Sequence, residues 1–265
     1  MVESASGVGQ PARRRKRGEL KELVLQAGFE VLAREGLDIG VDHINYTKVF
    51  DHLEQTKGIR VTRGSVHERI WPSQRDFQRE LVVRAAEWQF EESTAATIEA
   101  VAAVIAAADT STHAGRRAAM REVTRVGART NMVSAESDDL WGLWQGITGA
   151  FTAAMAESEE LAPIVDAVRR SYEGLSDEFV AMQGQVVEAL GWRLRDDLEL
   201  TGGDLRRMVA SISTSLADGF GFRSKFTGQP VIELPTGPKG EMQEWDPLGY
   251  AMWMLIESAY ENPPD

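Results

Sequence analysis

The sequence predicts an all-α protein with two parts: an N-terminal helix-turn-helix three-helix domain and a larger C-terminal helical domain. Three observations predict it. Apolar residues recur at three- and four-residue steps along most of the 265 residues. Nothing after residue 92 alternates with period two except brief segments that read as loops. The charge divides along the chain: residues 1–85 carry 15 Lys+Arg against 12 Asp+Glu, whereas the remainder is strongly acidic, for a net charge of −12. Such asymmetry points to a polyanion partner for the front and not for the rest.

Residues 1–17 read as a disordered basic arm. Residues 1–12 are small and polar, and five consecutive cations follow, Arg13, Arg14, Arg15, Lys16 and Arg17. Like charges this dense repel one another until a partner neutralises them; a solubilising tail is the alternative reading. From Gly18 to Arg34 the spacing of Leu20, Leu23, Val24, Ala27 and Val31 predicts a helix, with Gly36 as its stop. Asn45 can cap a second helix that buries Val49, Phe50 and Leu53. Lys57-Gly58-Ile59 reads as its end, with a cation in the last turn and glycine just beyond it.

Thr62 is a suitable cap for a third helix running to about Ile70, with Val66 and Ile70 facing inward. Ser73 opens a fourth helix through the capping box "SQRD", and that helix continues to at least Trp88. Two short amphipathic helices joined by a turn that starts with Gly58 form a helix-turn-helix unit. In such a unit the N-terminal residues of the second helix meet base edges in the major groove. Arg63 and His67, four residues apart, share an outward face flanked by Ser65 and Arg69. Gly64, which costs a helix roughly 1 kcal/mol relative to alanine, reads either as allowing close approach of backbone to DNA or to the second helix, or as a tolerated glycine in a frayed first turn.

"RGELKELVLQAGFEVLAREG" followed by "VTRGSVHERIWPSQRDF" resembles the N-terminal domain of the TetR family of bacterial transcriptional regulators over about residues 17–85. Thr62, Arg63, Gly64, Ser65 and Val66 match that family's Ser-Arg-Gly-Thr-Leu positions, and Pro72-Ser73 its Pro-Ser start of the fourth helix. His67 replaces a tyrosine, Gln74 replaces a lysine beside Arg75, and Ile70-Trp71 fills the place of one phenylalanine. The resemblance implies a homodimer that binds double-stranded DNA at a palindromic operator through residues 18–85. It also implies that residues 86–265 bind a small-molecule effector that releases the DNA, as in a repressor, and that the last two helices of each subunit form a four-helix dimer bundle. The expected DNA contacts are the arm residues together with Thr62, Arg63, Gly64, Ser65, His67, Arg69 and Arg75.

In the C-terminal part helices are expected at about 94–108, 115–131, 137–156, 160–190, 202–222 and 246–260. Phe226 to Pro247, with four prolines, reads as a long loop. Leu140, Trp144, Ile147, Phe151 and Met155 form one helical stripe edged by Trp141, Gln145 and Thr148, with Tyr172, Phe179 and Met182 as an opposing wall. Aromatic and methionine lining with a few polar groups suits an apolar effector pocket; ordinary core packing is the alternative. Arg117, Arg121, Arg125 and Arg129 form a ladder that reads either as a cationic wall or, more simply, as a solvated face paired with carboxylates. Leu205, Val209, Ile212 and Leu216, together with "YAMWMLIESAY", are the expected dimer surface.

The absence of cysteine excludes disulfides and thiolate chemistry. No apolar run approaches the roughly 18 residues of a membrane helix, and no secretory signal opens the chain, so a cytoplasmic protein is expected. The four histidines have no metal-ligand spacing, and no nucleotide or nucleophile-elbow motif occurs, so neither cofactor nor metal is expected. An all-helical enzyme using acidic residues is the alternative. Its best pairs, Asp138-Asp139 and Glu159-Glu160, are adjacent, about 100° apart on a helix, and do not converge. A DNA-binding protein without an effector is the other alternative.

Overall fold

The structure is a computed structural model that describes residues 16–37, 41–67, 69–87, 91–152, 159, 161–228, 230–237 and 240–264, apart from the side chains of residues 91, 92, 139, 151 and 152. The chain divides into two compact units, Met1–Val82 and Val83–Asp265. Helices dominate both, as expected of an all-α chain. Among the described residues, no helix is long and apolar enough to cross a membrane.

The first unit holds α1 (Arg17–Glu35), α2 (Tyr46–Lys57), α3 (Arg63–His67) and most of α4 (Gln74–Ala86). Its helix ends follow local chemistry. Gly36 stops α1 at φ 74°, and its N–H donates to the Leu32 carbonyl at 2.8 Å. The Asn45 side chain accepts from the Lys48 N–H at 3.1 Å and caps α2. Gly58 closes α2 in the left-handed region, φ 63°, where Cβ-bearing residues are strained.

The third helix is shorter than expected. After His67 the chain turns, with the N–H groups of Ile70 and Trp71 both reaching the Val66 carbonyl. Pro72 disfavours helical backbone at Trp71 and so keeps the chain from running helically into α4. At α4 the Ser73 hydroxyl accepts from the Asp76 N–H at 3.2 Å and donates to the Asp76 carboxylate at 2.7 Å. The carboxylate thus meets the capping hydroxyl rather than the capping backbone. That helix is described to Ala86, followed by a turn at Glu87; Trp88 lies outside the described residues.

Phe77 centres the aromatic packing of this unit. Tyr46 lies against it at 5.2 Å and Trp71 meets it edge-on at 5.1 Å. Trp71 is buried, and its indole N–H donates to Glu80 at 2.6 Å.

The second unit comprises α5 (Glu91–Ala107), α6 (His113–Ser137), α7 (Asp139–Thr152), α8 (Ala162–Ala189), α9 (Gly202–Thr227) and α10 (Pro247–Ala259). Pro163 falls in the first turn of α8, where its missing N–H costs nothing. Helices α5 and α6 pack closely at Gly127, where an added Cβ would come 3.1 Å from Val101. A core of Val101, Met120, Val123, Val187, Leu190, Trp192, Leu205, Val209, Trp245, Trp253, Ile256 and Tyr260 joins α5, α6, α8, α9 and α10.

Among the described residues this unit also holds two small antiparallel pairs. Strand β1 (Arg193–Leu194) pairs with β4 (Tyr260–Glu261). Strand β2 (Ile232–Pro235) pairs with β3 (Met242–Trp245) inside the segment expected to be a long loop, which is thereby corrected. Pro235 is the last residue of its strand, a position that spares the ladder, and buried Trp245 ties the hairpin to the core.

Candidate nucleic-acid interface and ligand site

The α2–turn–α3 segment sorts its side chains into a buried and an exposed face. Val66 is completely buried, whereas Thr62, Arg63, Gly64 and His67 are exposed and Ser65 is half-buried. The Thr62 hydroxyl accepts weakly from the Ser65 N–H at 3.4 Å, and the Ser65 hydroxyl donates back to the Thr62 carbonyl at 2.7 Å. Among the described residues, no atom lies within 4 Å of where a Gly64 Cβ would be, so none of them requires glycine there.

His67 is oriented by its own loop. Its Nδ1 lies 3.2 Å from the Trp71 carbonyl oxygen, which can only accept, so Nδ1 carries the proton. The outward Nε2 of a neutral His67 is therefore an acceptor.

An open cleft of about 430 Å³ lies beside this segment, lined by Asn45, Tyr46, Thr47, Lys48, Phe50, Arg63 and Gln74. The first turns of α2 and α4 and the start of α3 meet there. Lys48 also pairs with Glu35 at 2.7 Å. Burial pushes the Tyr46 phenol up to about 12, against the opposing effect of Arg63, and its hydroxyl donates to the Ser73 carbonyl at 3.2 Å. Of the cleft residues, sequence reasoning singled out only Arg63 as a contact. The signal for Thr47, Lys48 and Gln74 was their place one to three residues after the caps Asn45 and Ser73. Among the other expected contacts, Lys16, Arg17 and Arg75 are exposed and Arg69 is half-buried. Arg13, Arg14 and Arg15 lie outside the described residues.

In the second unit the structure gathers part of the expected ligand site. Trp144 is buried, its indole N–H donates to the Ala86 carbonyl at 3.3 Å, and its ring lies 4.9 Å from Tyr172. Trp141 packs on α9 at Gly221, where an added Cβ would come 2.6 Å from the indole. The Gln145 amide donates to Asp218 at 3.1 Å. The Tyr172 hydroxyl is hydrogen-bonded to both Asp218 and Thr148. Phe179 and Met182 are half-buried further along α8, two to three turns past Tyr172. The side chain of Phe151, and Met155 altogether, lie outside the described residues.

Asp218 is the member that sequence reasoning missed. Burial raises its carboxyl to about 6, against the opposing effect of hydrogen bonds from Tyr172 and Gln145. Burial likewise pushes the Tyr172 phenol up to about 12, assisted by the Asp218 charge. Alanine at Trp144 would truncate a core side chain and cost roughly 3–5 kcal/mol. Gln145, Tyr172 and Asp218 are all half-buried.

The arginine ladder resolves into ion pairs. Arg117 meets Glu257 at 2.8 Å, Arg125 meets Glu122 at 2.5 Å and Arg129 meets Glu244 at 3.0 Å. Arg121 stands 5.2 Å over the Trp253 ring. This is the carboxylate-paired face, with three of the four cations already matched. The expected dimer stripe also needs correcting. Leu205 and Val209 are buried within their own chain and Leu216 packs against the cluster of Ala128, Met132 and Leu248, which leaves only Ile212 of that set exposed.

Among the described residues, no group of three His, Asp or Glu side chains is placed to hold a metal ion. Comparison of the chain with protein families, with curated proteins and with solved structures finds no match.

Proposed function

We propose that this chain is a ligand-responsive, DNA-binding transcriptional regulator of the TetR kind, acting as a repressor. The observation that carries this reading is the α2–turn–α3 segment. A five-residue helix anchored by buried Val66 presents Arg63, Gly64 and His67 outward, at a cleft where the N-terminal turns of α2 and α4 converge with a guanidinium. Helix N-termini carry unsatisfied N–H groups and favour anions, so DNA phosphates suit this cleft while Arg63 reaches a base edge. The residue pattern from Thr62 to Ser73 supports the same reading.

The regulator acts as a homodimer through α9 and α10. Met208, Ile212, Phe222 and Phe226 are exposed on α9. With exposed Ser215 and Gly219 between them, they follow alternating four- and three-residue steps, the seam of a helix-helix interface. Tyr250 and Met254 extend the apolar surface on α10.

Fluorescence anisotropy with a labelled DNA fragment from upstream of the protein's own coding sequence tests the reading. The expected result is salt-sensitive, sequence-specific binding that Arg63→Ala weakens by roughly 1–3 kcal/mol. Equal binding of wild type and Arg63→Ala to specific and scrambled fragments overturns it.

A further inference from the structure

Gly219 lies well inside α9, a helix of 26 residues, where glycine is the least favourable residue after proline. Among the described residues, no atom lies within 4 Å of where its Cβ would be, so none of them calls for the missing side chain. Ser215, one turn earlier, is also exposed, and its hydroxyl already donates to the Ser211 carbonyl at 2.8 Å. It can leave water without losing that partner. Two small residues one turn apart on an exposed face let a second backbone come close.

Both ends of this small patch are apolar. Met208 and Ile212 precede it and Phe222 and Phe226 follow it, all four exposed, with the two phenyl rings 5.3 Å apart. The seam reads large, large, small, small, large, large, the same from either end. A two-fold axis midway between Ser215 and Gly219 sets Met208 against the partner's Phe226, Ile212 against the partner's Phe222 and Ser215 against the partner's Gly219. A face that complements itself in this way fits a second copy of the same chain.

Charge fixes the direction. Arg206 and Arg207 are exposed near the start of α9, and Arg223 and Lys225 near its end. Parallel pairing would bring both copies of each cation to one level. Antiparallel pairing sets Arg223 level with the partner's uncharged Ser211 and holds its own copy about 18 Å away along the axis, and it opposes the two helix dipoles. Asp218, near the axis, is turned into its own subunit, where the Gln145 amide donates to it at 3.1 Å. The area is sufficient. With Tyr250 and Met254 on α10, the four large seam residues leave exposed the equivalent of about three whole side chains, roughly 600 Å² at about 200 Å² each. A stable homodimer takes about 800 Å² per partner, about 65% of it apolar.

We infer that α9 pairs antiparallel with α9 of a second copy of this chain, with Ser215 and Gly219 at the two-fold crossing and Ile212 against the partner's Phe222. This rests on the proposal that the chain dimerises through α9 and α10, and assigns the direction and register of that pairing.

The chain has no cysteine, so introduced thiols report only on the chosen positions. Full-length Ile212→Cys and Phe222→Cys, one of them carrying a size tag, are co-expressed, purified without DNA and oxidised with copper phenanthroline. In the inferred register the two thiols share a level, whereas each stands about 15 Å along the axis from its own copy, beyond the about 7 Å between Cα atoms that a disulfide tolerates. The mixed disulfide dimer is expected at least tenfold in excess of like-with-like dimers. Gly219→Leu, at an open position in a helix that leucine favours, should weaken dimerisation at least tenfold by sedimentation. Like-with-like disulfides equal to or above the mixed one, no disulfide in any combination, or a Gly219→Leu protein that dimerises as wild type does, overturns the inference. So does a monomeric wild type, which leaves this face to a different protein. DNA binding of the wild type is measured in parallel. Mixed disulfides without sequence-specific DNA binding remove the regulator reading and keep the pairing; the reverse outcome removes the pairing alone.

Discussion

Under the proposed function, one hydrogen bond at His67 constrains what its ring could recognise. With Nδ1–H held by the Trp71 carbonyl at 3.2 Å, a neutral His67 offers DNA an acceptor. It can accept from a cytosine or adenine amino group, but only the imidazolium can donate to a phosphate. If His67 accepts from such a base edge, His67→Ala weakens binding of the specific fragment by roughly 1–3 kcal/mol and leaves binding of scrambled DNA nearly unchanged; anisotropy on both fragments reads it. Asp218 gives the second prediction at this scale. Its carboxyl is raised from 3.8 unfolded to about 6 folded, so ionisation disfavours the fold. Stability attributable to this group is full below the unfolded value, falls as pH rises through about 6, and is then lower by roughly 3 kcal/mol. Asp218→Asn should therefore melt higher than wild type at pH 8, with the gap closing near pH 4 in paired thermal scans. None of this could be read from sequence, because Gln145 and Asp218 lie 73 residues apart and only tertiary packing reveals that the acid lacks a cation.

Helices were the legible elements. Asn45, Thr62 and Ser73 each accept a hydrogen bond from the N–H three residues on, and Gly36 and Gly58 end their helices, so short-range chemistry that the sequence displays fixed those boundaries. The β2–β3 hairpin was not legible. Four prolines around it signalled loop, and what makes it a hairpin is the anchoring of Trp245 in a core assembled from distant helices. The dimer stripe was misplaced for a related reason. Leu205 and Met208 are both apolar and one turn apart, and only packing decides which of them faces inward. Two glycines test the element-level account. Gly58→Ala forces a Cβ into the left-handed region and should lower stability by about 1 kcal/mol. Gly221→Ala drives a methyl into Trp141 and should cost roughly 1–3 kcal/mol through overpacking, despite alanine's better helix propensity. Urea unfolding curves measure both.

At the scale of the whole molecule, the contrast is between a basic front and an acidic remainder. Each phosphate neutralised by the Arg13–Arg17 run contributes to the salt dependence of binding. Deleting residues 1–17 should weaken DNA binding broadly across sequences and flatten the plot of log affinity against log salt. The α9 seam carries a separate expectation. Ile212→Glu together with Phe222→Glu places charge in the proposed subunit interface, and sedimentation should then show a shift from dimer to folded monomer.

The most direct test of the central claim is selection of binding sites from random double-stranded DNA by the full-length protein. The account predicts enrichment of an inverted repeat whose half-sites are centred roughly 34–36 Å, or a multiple of that, apart. It should be bound at least about 10³-fold more tightly than scrambled DNA, and the enrichment should disappear with Arg63→Ala. Recovery of no motif, with scrambled and selected DNA bound alike, would contradict it.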